Sequence, residues 1–294
     1  MVFWIQKATL AVKGVLCVDS NDKSGGLRMG REAWLAVLMA CGLGAVALGS
    51  MGSALQSRPA DDMVEVPAGR FTMGVDKRPG QMDWGPVRQI HLEAFSIDRH
   101  EVTVLDYRAC VKAGRCPGPR GVTGECNYAV KGRERHPVNC VPWEHAAKYC
   151  QWVGKQLPTE AQWEKAARGT GGQRYAWGDG PAADCDRAVM NDAGHGCGKD
   201  GTWAVGSKPK GASPYGALDM AGNVWEWTAD WYAPDAYEKN SLSPQSPATG
   251  TERALRGGSW SSRDGYLTAS ARHSMKPQWG QSDIGFRCVA PIQP

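Results

Sequence analysis

Eight cysteines, Cys110, Cys116, Cys126, Cys140, Cys150, Cys185, Cys197 and Cys288, follow an uncharged apolar stretch at residues 33–57. A chain carried across a membrane by such a stretch folds where thiols oxidise, so the even count predicts a domain stapled by disulfides. Eight cysteines allow 105 pairings, and spacing alone does not choose among them. Zinc is the competing use for such residues, but no Cys-x-x-Cys occurs and the six histidines show no metal-ligand spacing. Cys185 and Cys197 flank a glycine-rich loop that a local bridge would close.

The apolar stretch carries the core WLAVLMACGLGAVAL, with Arg28 and Arg31 just before it, which is the pattern that sends a segment into a membrane. Its apolar core is short for a spanning helix and ends in Gly49, Ser50, Gly52, Ser53 and Ala54, favouring a cleavable signal peptide over a permanent anchor. Leu38-Met39-Ala40-Cys41 resembles a lipobox, which makes a lipoprotein signal the third form, and Met29 would give a conventional signal start. The expected organisation is a targeting segment at 1–57, a linker at 58–62 and a single domain at 63–294. The expected location is outside the cytoplasm, periplasmic, in the cell envelope or secreted, with membrane contact through the N-terminal segment only. Net charge is +4, of which residues 1–32 carry +2, so the domain has no electrostatic footprint for nucleic acid.

Glycine supplies 37 of 294 residues, nearly twice its usual share, and 13 tryptophans accompany only 4 phenylalanines. A core of large indoles set between glycine-bearing loops follows, with modest helix and strand content. Met63–Met73 reads as two short strands around a turn at Pro67-Ala68-Gly69. A helix is expected near Val104–Ala113. Ala146, Tyr149, Cys150 and Val153 share one helical face within Trp143–Val153, which buries Cys150, and Gly154 stands ready to end that helix. Thr159 and Gln162 form a capping box that starts a helix running to Arg168. Beyond Gly169 the chain reads as loops and short strands, with neither an internal repeat nor a second domain boundary.

Five blocks carry further information: VEVPAGRFTMG from Val64, LPTEAQWEKAARG from Leu157, PYGALDMAGNVWEWTADW from Pro214, LRGGSW from Leu255 and DIGFRC from Asp283. In this order they resemble the formylglycine-generating enzyme family, also called sulfatase-modifying factors, over about residues 63–290. The resemblance implies an α+β fold distantly like C-type lectins, low in regular structure and often calcium-bound. Family enzymes oxidise a sulfatase cysteine to formylglycine with dioxygen and Cu(I) held by two thiolates, spaced Cys-x4-Cys a few residues after the GGS-aromatic motif. Here Ser259–Arg272 contains no cysteine and is about three residues shorter than the family's stretch. Soft thiolates suit Cu(I) and hydroxyls do not, so a copper site is not expected. Trp225, Ser259 and Arg272 remain at positions matching the pocket, and each also has an ordinary reading as a core or loop-fixing residue.

The resemblance also implies calcium positions. One set takes the side chains of Asp219 and Glu226 with the carbonyls of Met220, Gly222 and Val224. A second takes the side chains of Asn191 and Asp200 with the carbonyls of Asp192 and Thr202. Oxygen-only donors suit a hard cation. The alternative is that Asp219 caps a turn and Glu226 pairs with an arginine. The resemblance further implies a Cys150–Cys288 bridge; Cys185–Cys197 is the next pair, and Cys110, Cys116, Cys126 and Cys140 pair among themselves in an order left open. Functionally, three readings stand: a non-catalytic member binding a peptide, protein or glycan, an oxidoreductase without the usual thiolate pair, or a structural subunit of an envelope complex.

Overall fold

The capping box at Thr159 forms as its spacing predicts. Thr159 Oγ accepts the Gln162 amide at 3.1 Å while Gln162 Oε1 accepts the Thr159 amide at 2.9 Å, starting helix α3, Glu160–Arg168. In the computed structural model residues 62–76, 83–119, 125–239 and 248–292 are described, all within one unit, Gln56–Pro294. The targeting segment, and the linker apart from Asp62, lie outside the described residues.

Helix α1, Val104–Lys112, opens on a second capping box, Thr103 with Asp106, and helix α2, Trp143–Trp152, buries Cys150 as expected. A final turn of helix, α4, covers Ala236–Lys239. Strands β1 (Met63–Val66) and β2 (Gly69–Met73) flank Pro67 and Ala68 as anticipated, but they do not pair with each other. Strand β1 joins β4 (Phe95–Asp98) and β9 (Val289–Pro291) in one antiparallel sheet, and β2 pairs with β3 (Arg88–Leu92) in another. The third sheet runs β7 (Arg272–Met275), β6 (Arg253–Arg256), β5 (Trp225–Trp231), β8 (Ile284–Gly285), with β8 parallel to β5.

Indoles fill the core, as the composition requires. Trp163 and Trp227 are fully buried, and each finds an acceptor for its N–H, Glu226 Oε2 at 2.8 Å and the Val141 carbonyl at 2.9 Å. Arg256, Arg272 and Arg287 are buried as well, and each is met by carboxylates, which is the condition for burying a guanidinium. Four bridges close: Cys110–Cys116, Cys126–Cys140, Cys150–Cys288 and Cys185–Cys197. Both expected bridges thus form, and the four cysteines left unordered pair with their sequence neighbours.

Candidate functional site

The end of β6 runs into Gly257 and Gly258, both at positive φ, and turns back through Ser259–Ser262. Only glycine fits at 258: a Cβ there would lie 2.4 Å from Leu267 Cδ2 and 2.8 Å from the Tyr266 carbonyl oxygen. The turn gathers hydroxyls. Ser259 Oγ is 3.0 Å from Ser261 Oγ, 3.2 Å from Ser262 Oγ and 3.3 Å from Asp283 Oδ2, which Ser261 Oγ also reaches at 3.3 Å. Trp225, at the start of β5, joins this cluster by donating its amide to the Asp283 carbonyl at 2.8 Å.

Beside the hydroxyls stands an aromatic wall. The Trp225 ring meets His273 at 5.4 Å and Tyr266 at 6.3 Å, and Tyr266 meets Trp84 edge-on at 6.0 Å. Tyr266 remains 49% exposed, so the wall opens to solvent. Trp225 and Ser259 are therefore brought together, whereas Arg272 turns inward. Its guanidinium makes two bonds to Glu160, at 2.7 and 2.8 Å, and reaches Asp83 Oδ2 at 3.2 Å and the carbonyls of Asp83 and Ala233. Burial alone raises the Glu160 carboxyl, but Arg272 and Arg256 outweigh it and hold that group below its usual range. Tyr232 donates to Asp83 across the same junction. Arg272 thus locks β7 to α3 and to the segment bearing Asp83 and Trp84. The sequence reading missed Asp83, Trp84, Tyr266 and the tie from Asp283 to the serines, since only the fold brings residues about 180 positions apart to one wall.

Glu226 pairs with an arginine. Arg287 donates to both of its oxygens at 2.7 Å, and Trp163 adds a third bond. Asp219, at φ 56°, accepts the Gly206 amide at 2.6 Å and lies beside Glu101. Glu101 is fully buried, and among the described residues its carboxyl meets no cationic donor, only the neighbouring Asp219 carboxyl. Burial first, then the Asp219 charge, pushes the Glu101 carboxyl well above its ordinary value. Three carboxylates thus share one guanidinium, a surplus of negative charge that a hard cation or a proton must offset. Met220, Gly222 and Val224 are buried in the same segment, and among the described residues no three His, Cys, Asp or Glu side chains converge as a metal cluster. Of the second set, Asn191 donates its amide to the Ser262 carbonyl at 2.8 Å, and the Thr202 hydroxyl is bonded by Asn127 and His136 at 2.9 Å. Asp192 and Asp200 are exposed, the latter at φ 49°.

Comparisons with known proteins agree with this architecture. The model of the sulfatase-modifying factor enzyme 1-like domain matches residues 50–292. The formylglycine-generating enzyme of Streptomyces coelicolor is 34% identical, with 81% of this chain aligned to 92% of that protein. A protein of Chlamydia caviae named serine/threonine-protein kinase pkn1 is 38% identical over 79% of this chain, which spans only 38% of that protein's length. PvdO from Pseudomonas aeruginosa superposes with a TM-score of 0.65 at 29% identity, over 78% of this chain and 94% of that one. The chain belongs to the sulfatase-modifying factor enzyme 1-like domain family, the formylglycine-generating enzyme family.

Proposed function

We propose that this chain is an exported, calcium-stabilised binding or accessory member of the family, engaging a peptide, protein or glycan at the wall of Trp84, Trp225 and Tyr266. One observation carries the reading: the turn at the Gly-Gly-Ser motif places Ser259 Oγ 3.0–3.3 Å from Ser261 Oγ, Ser262 Oγ and Asp283 Oδ2, a hard oxygen set. Cu(I) wants soft thiolates, and all eight cysteines from Cys110 to Cys288 are tied in bridges, where they cannot bind copper as thiolates. These residues do not fit a copper-thiolate centre. Four disulfides support export to an oxidising compartment. The buried Glu101 and Asp219 carboxyls lying side by side support a cation near the first expected calcium position, at Asp219 and the carbonyls of Met220, Gly222 and Val224 with Glu101 in place of Glu226, which Arg287 occupies, where it would neutralise buried charge and fix the Asp219–Glu226 loop.

The competing reading, an oxidase of the formylglycine-generating type, is favoured by the alignment to 92% of the Streptomyces enzyme. Incubating the protein with a Cys-Thr-Pro-Ser-Arg peptide, Cu(I), reductant and oxygen separates the two. Mass spectrometry is expected to show the thiol unchanged. Conversion to aldehyde over several turnovers establishes the oxidase instead. If the binding reading holds, the protein also retains a ligand from an envelope fraction that a Tyr266→Ala variant loses.

A further inference from the structure

Three of the four bridges are sealed in the core: Cys110, Cys116, Cys126, Cys140, Cys150 and Cys288 are each 6% exposed or less. Cys185 and Cys197 differ, since both are only partly buried, packed at the margin of a small apolar cluster around Ala188, Met190, Ala221 and Leu267. A reductant therefore has access to one bridge while the others stay shielded.

The loop closed by that bridge props the candidate site directly. Asn191 donates its amide to the Ser262 carbonyl, and Gly196 donates to the Trp260 carbonyl, each at 2.8 Å. The His195 ring lies 5.8 Å from the Trp260 indole, and Trp203 ties the loop down by donating to the Gly196 carbonyl at 2.9 Å. The loop is also held in backbone states that its residues disfavour: Ala193 and Cys197 sit at φ 55°, in the left-handed region. Cross-linking its two ends adds to these bonds in keeping the loop from relaxing.

We propose that Cys185–Cys197 is a thiol–disulfide exchange site for a dithiol reductant, and that opening it releases the Ser259–Ser262 turn, so that ambient redox poise sets the shape of the candidate site. One thiolate of the reductant attacks Cys185 Sγ, the S–S bond breaks, and its electron pair leaves with Cys197 Sγ, which takes up a proton. The second thiolate of the reductant then attacks the mixed disulfide, freeing Cys185 as a thiolate that is protonated in turn. The protein gains two electrons and two protons, and the dithiol becomes a cyclic disulfide. Lys208 Nζ, bonded to the Cys185 carbonyl, places positive charge at the bridge and favours thiolate there, against Asp184 and Asp186, which are themselves paired with Arg187 and Lys210. The proposal concerns the shape of the turn and needs no particular ligand.

Titrating the folded protein with dithiothreitol in the absence of denaturant, then alkylating and mapping peptides, tests the first half. Cys185 and Cys197 are expected to label as a pair at concentrations that leave the other six cysteines unlabelled. Hydrogen exchange on the same samples tests the second: amides of residues 259–262 should exchange at least about tenfold faster once the bridge is open, with helices α1 to α3 unchanged. Reduction of another bridge first, or alongside, overturns the proposal, and so does an unchanged exchange rate in the turn. A C185S/C197S variant gives the same reading without reductant: fast exchange confined to this loop and the turn supports the proposal, and wild-type protection of the turn refutes it. Should that variant fail to fold, the wild-type titration alone still decides both halves.

Discussion

Replacing Asp230 by Asn should make this protein more stable at alkaline pH than at acid pH relative to the wild type. Asp230 lies on β5, 8% exposed, and its Oδ2 accepts the Glu160 amide at 2.7 Å, at the first residue of α3. Burial, and then the neighbouring Glu160 charge, push its carboxyl up to about 7 from an ordinary 3.8. The sign follows from counting protons. Between pH 4 and 7 the folded protein keeps a proton on Asp230 that the unfolded chain has already released, so stability falls as pH rises through this window. The span of about three pH units, at 1.36 kcal/mol each, bounds the loss at about 4 kcal/mol. Asparagine keeps an acceptor for the Glu160 amide and cannot ionise. Urea denaturation of both proteins at pH 4.5, 6 and 8, with disulfides intact, isolates the effect, because every other titrating group is common to the pair. The variant is expected to gain on the wild type between pH 4.5 and about 7 and then to level off, by a few kcal/mol in all at pH 8. A difference that does not change with pH, or that favours the wild type at pH 8, refutes the reasoning.

Gly258→Ala should cost about 2 kcal/mol or more and lower the thermal midpoint by several degrees, because the added methyl meets Leu267 and the Tyr266 carbonyl at a positive φ, whereas Gly265→Ala, with nothing within 4 Å, should change stability by about 0.5 kcal/mol at most. Equal midpoints for the two variants sink this account of the turn. Calorimetry on chelator-treated protein should show calcium uptake, with stabilisation of about 2.7 kcal/mol at a hundredfold excess over Kd, and Glu101→Gln should weaken it. No uptake and an unmoved midpoint dispose of the calcium proposal.

Local rules make the helices legible in the amino-acid order alone. The Thr159 box, the buried face around Cys150 and the stop at Gly154 each depend on residues within one or two turns, and each appears where the spacing puts it. Strand partnering is not legible in this way, because β1 and β2, two residues apart, pair with β4 and β3 through contacts that nothing local encodes. The same limit applies to the site. Trp225 and Ser259 stand out in their motifs, but Trp84 and Tyr266 complete the wall through packing alone. The Glu226–Arg287 pair is open to either reading in the sequence, since one carboxylate can serve a cation or a guanidinium, and only geometry shows both oxygens facing Arg287.

The interior is fastened separately from the candidate site. Arg256 joins Glu160 and Glu164, Arg272 joins Glu160 and Asp83, and Arg287 joins Glu226, so that α3, β5, β6, β7 and the segment carrying Asp83 are fastened by paired buried charges. Removing one partner of such a pair leaves the other buried and uncompensated, at a cost of about 3–5 kcal/mol, so these residues answer to the fold whatever the pocket does. The Ser259–Ser262 turn is under different constraints. Its shape comes from Gly257, Gly258, the backbone bonds of the Cys185–Cys197 loop and the Ser259 amide, which donates to Ser262 Oγ at 3.0 Å, so Ser262 helps to close the turn while Ser261 only lines it. Neither Ser261 nor Ser262, both half-buried, takes part in the buried ion pairs, so a change at Ser261 leaves those pairs intact. Family membership therefore goes with this buried scaffold, while the Ser259–Ser262 turn stands outside the ion-pair network and answers to its own glycines and hydroxyls.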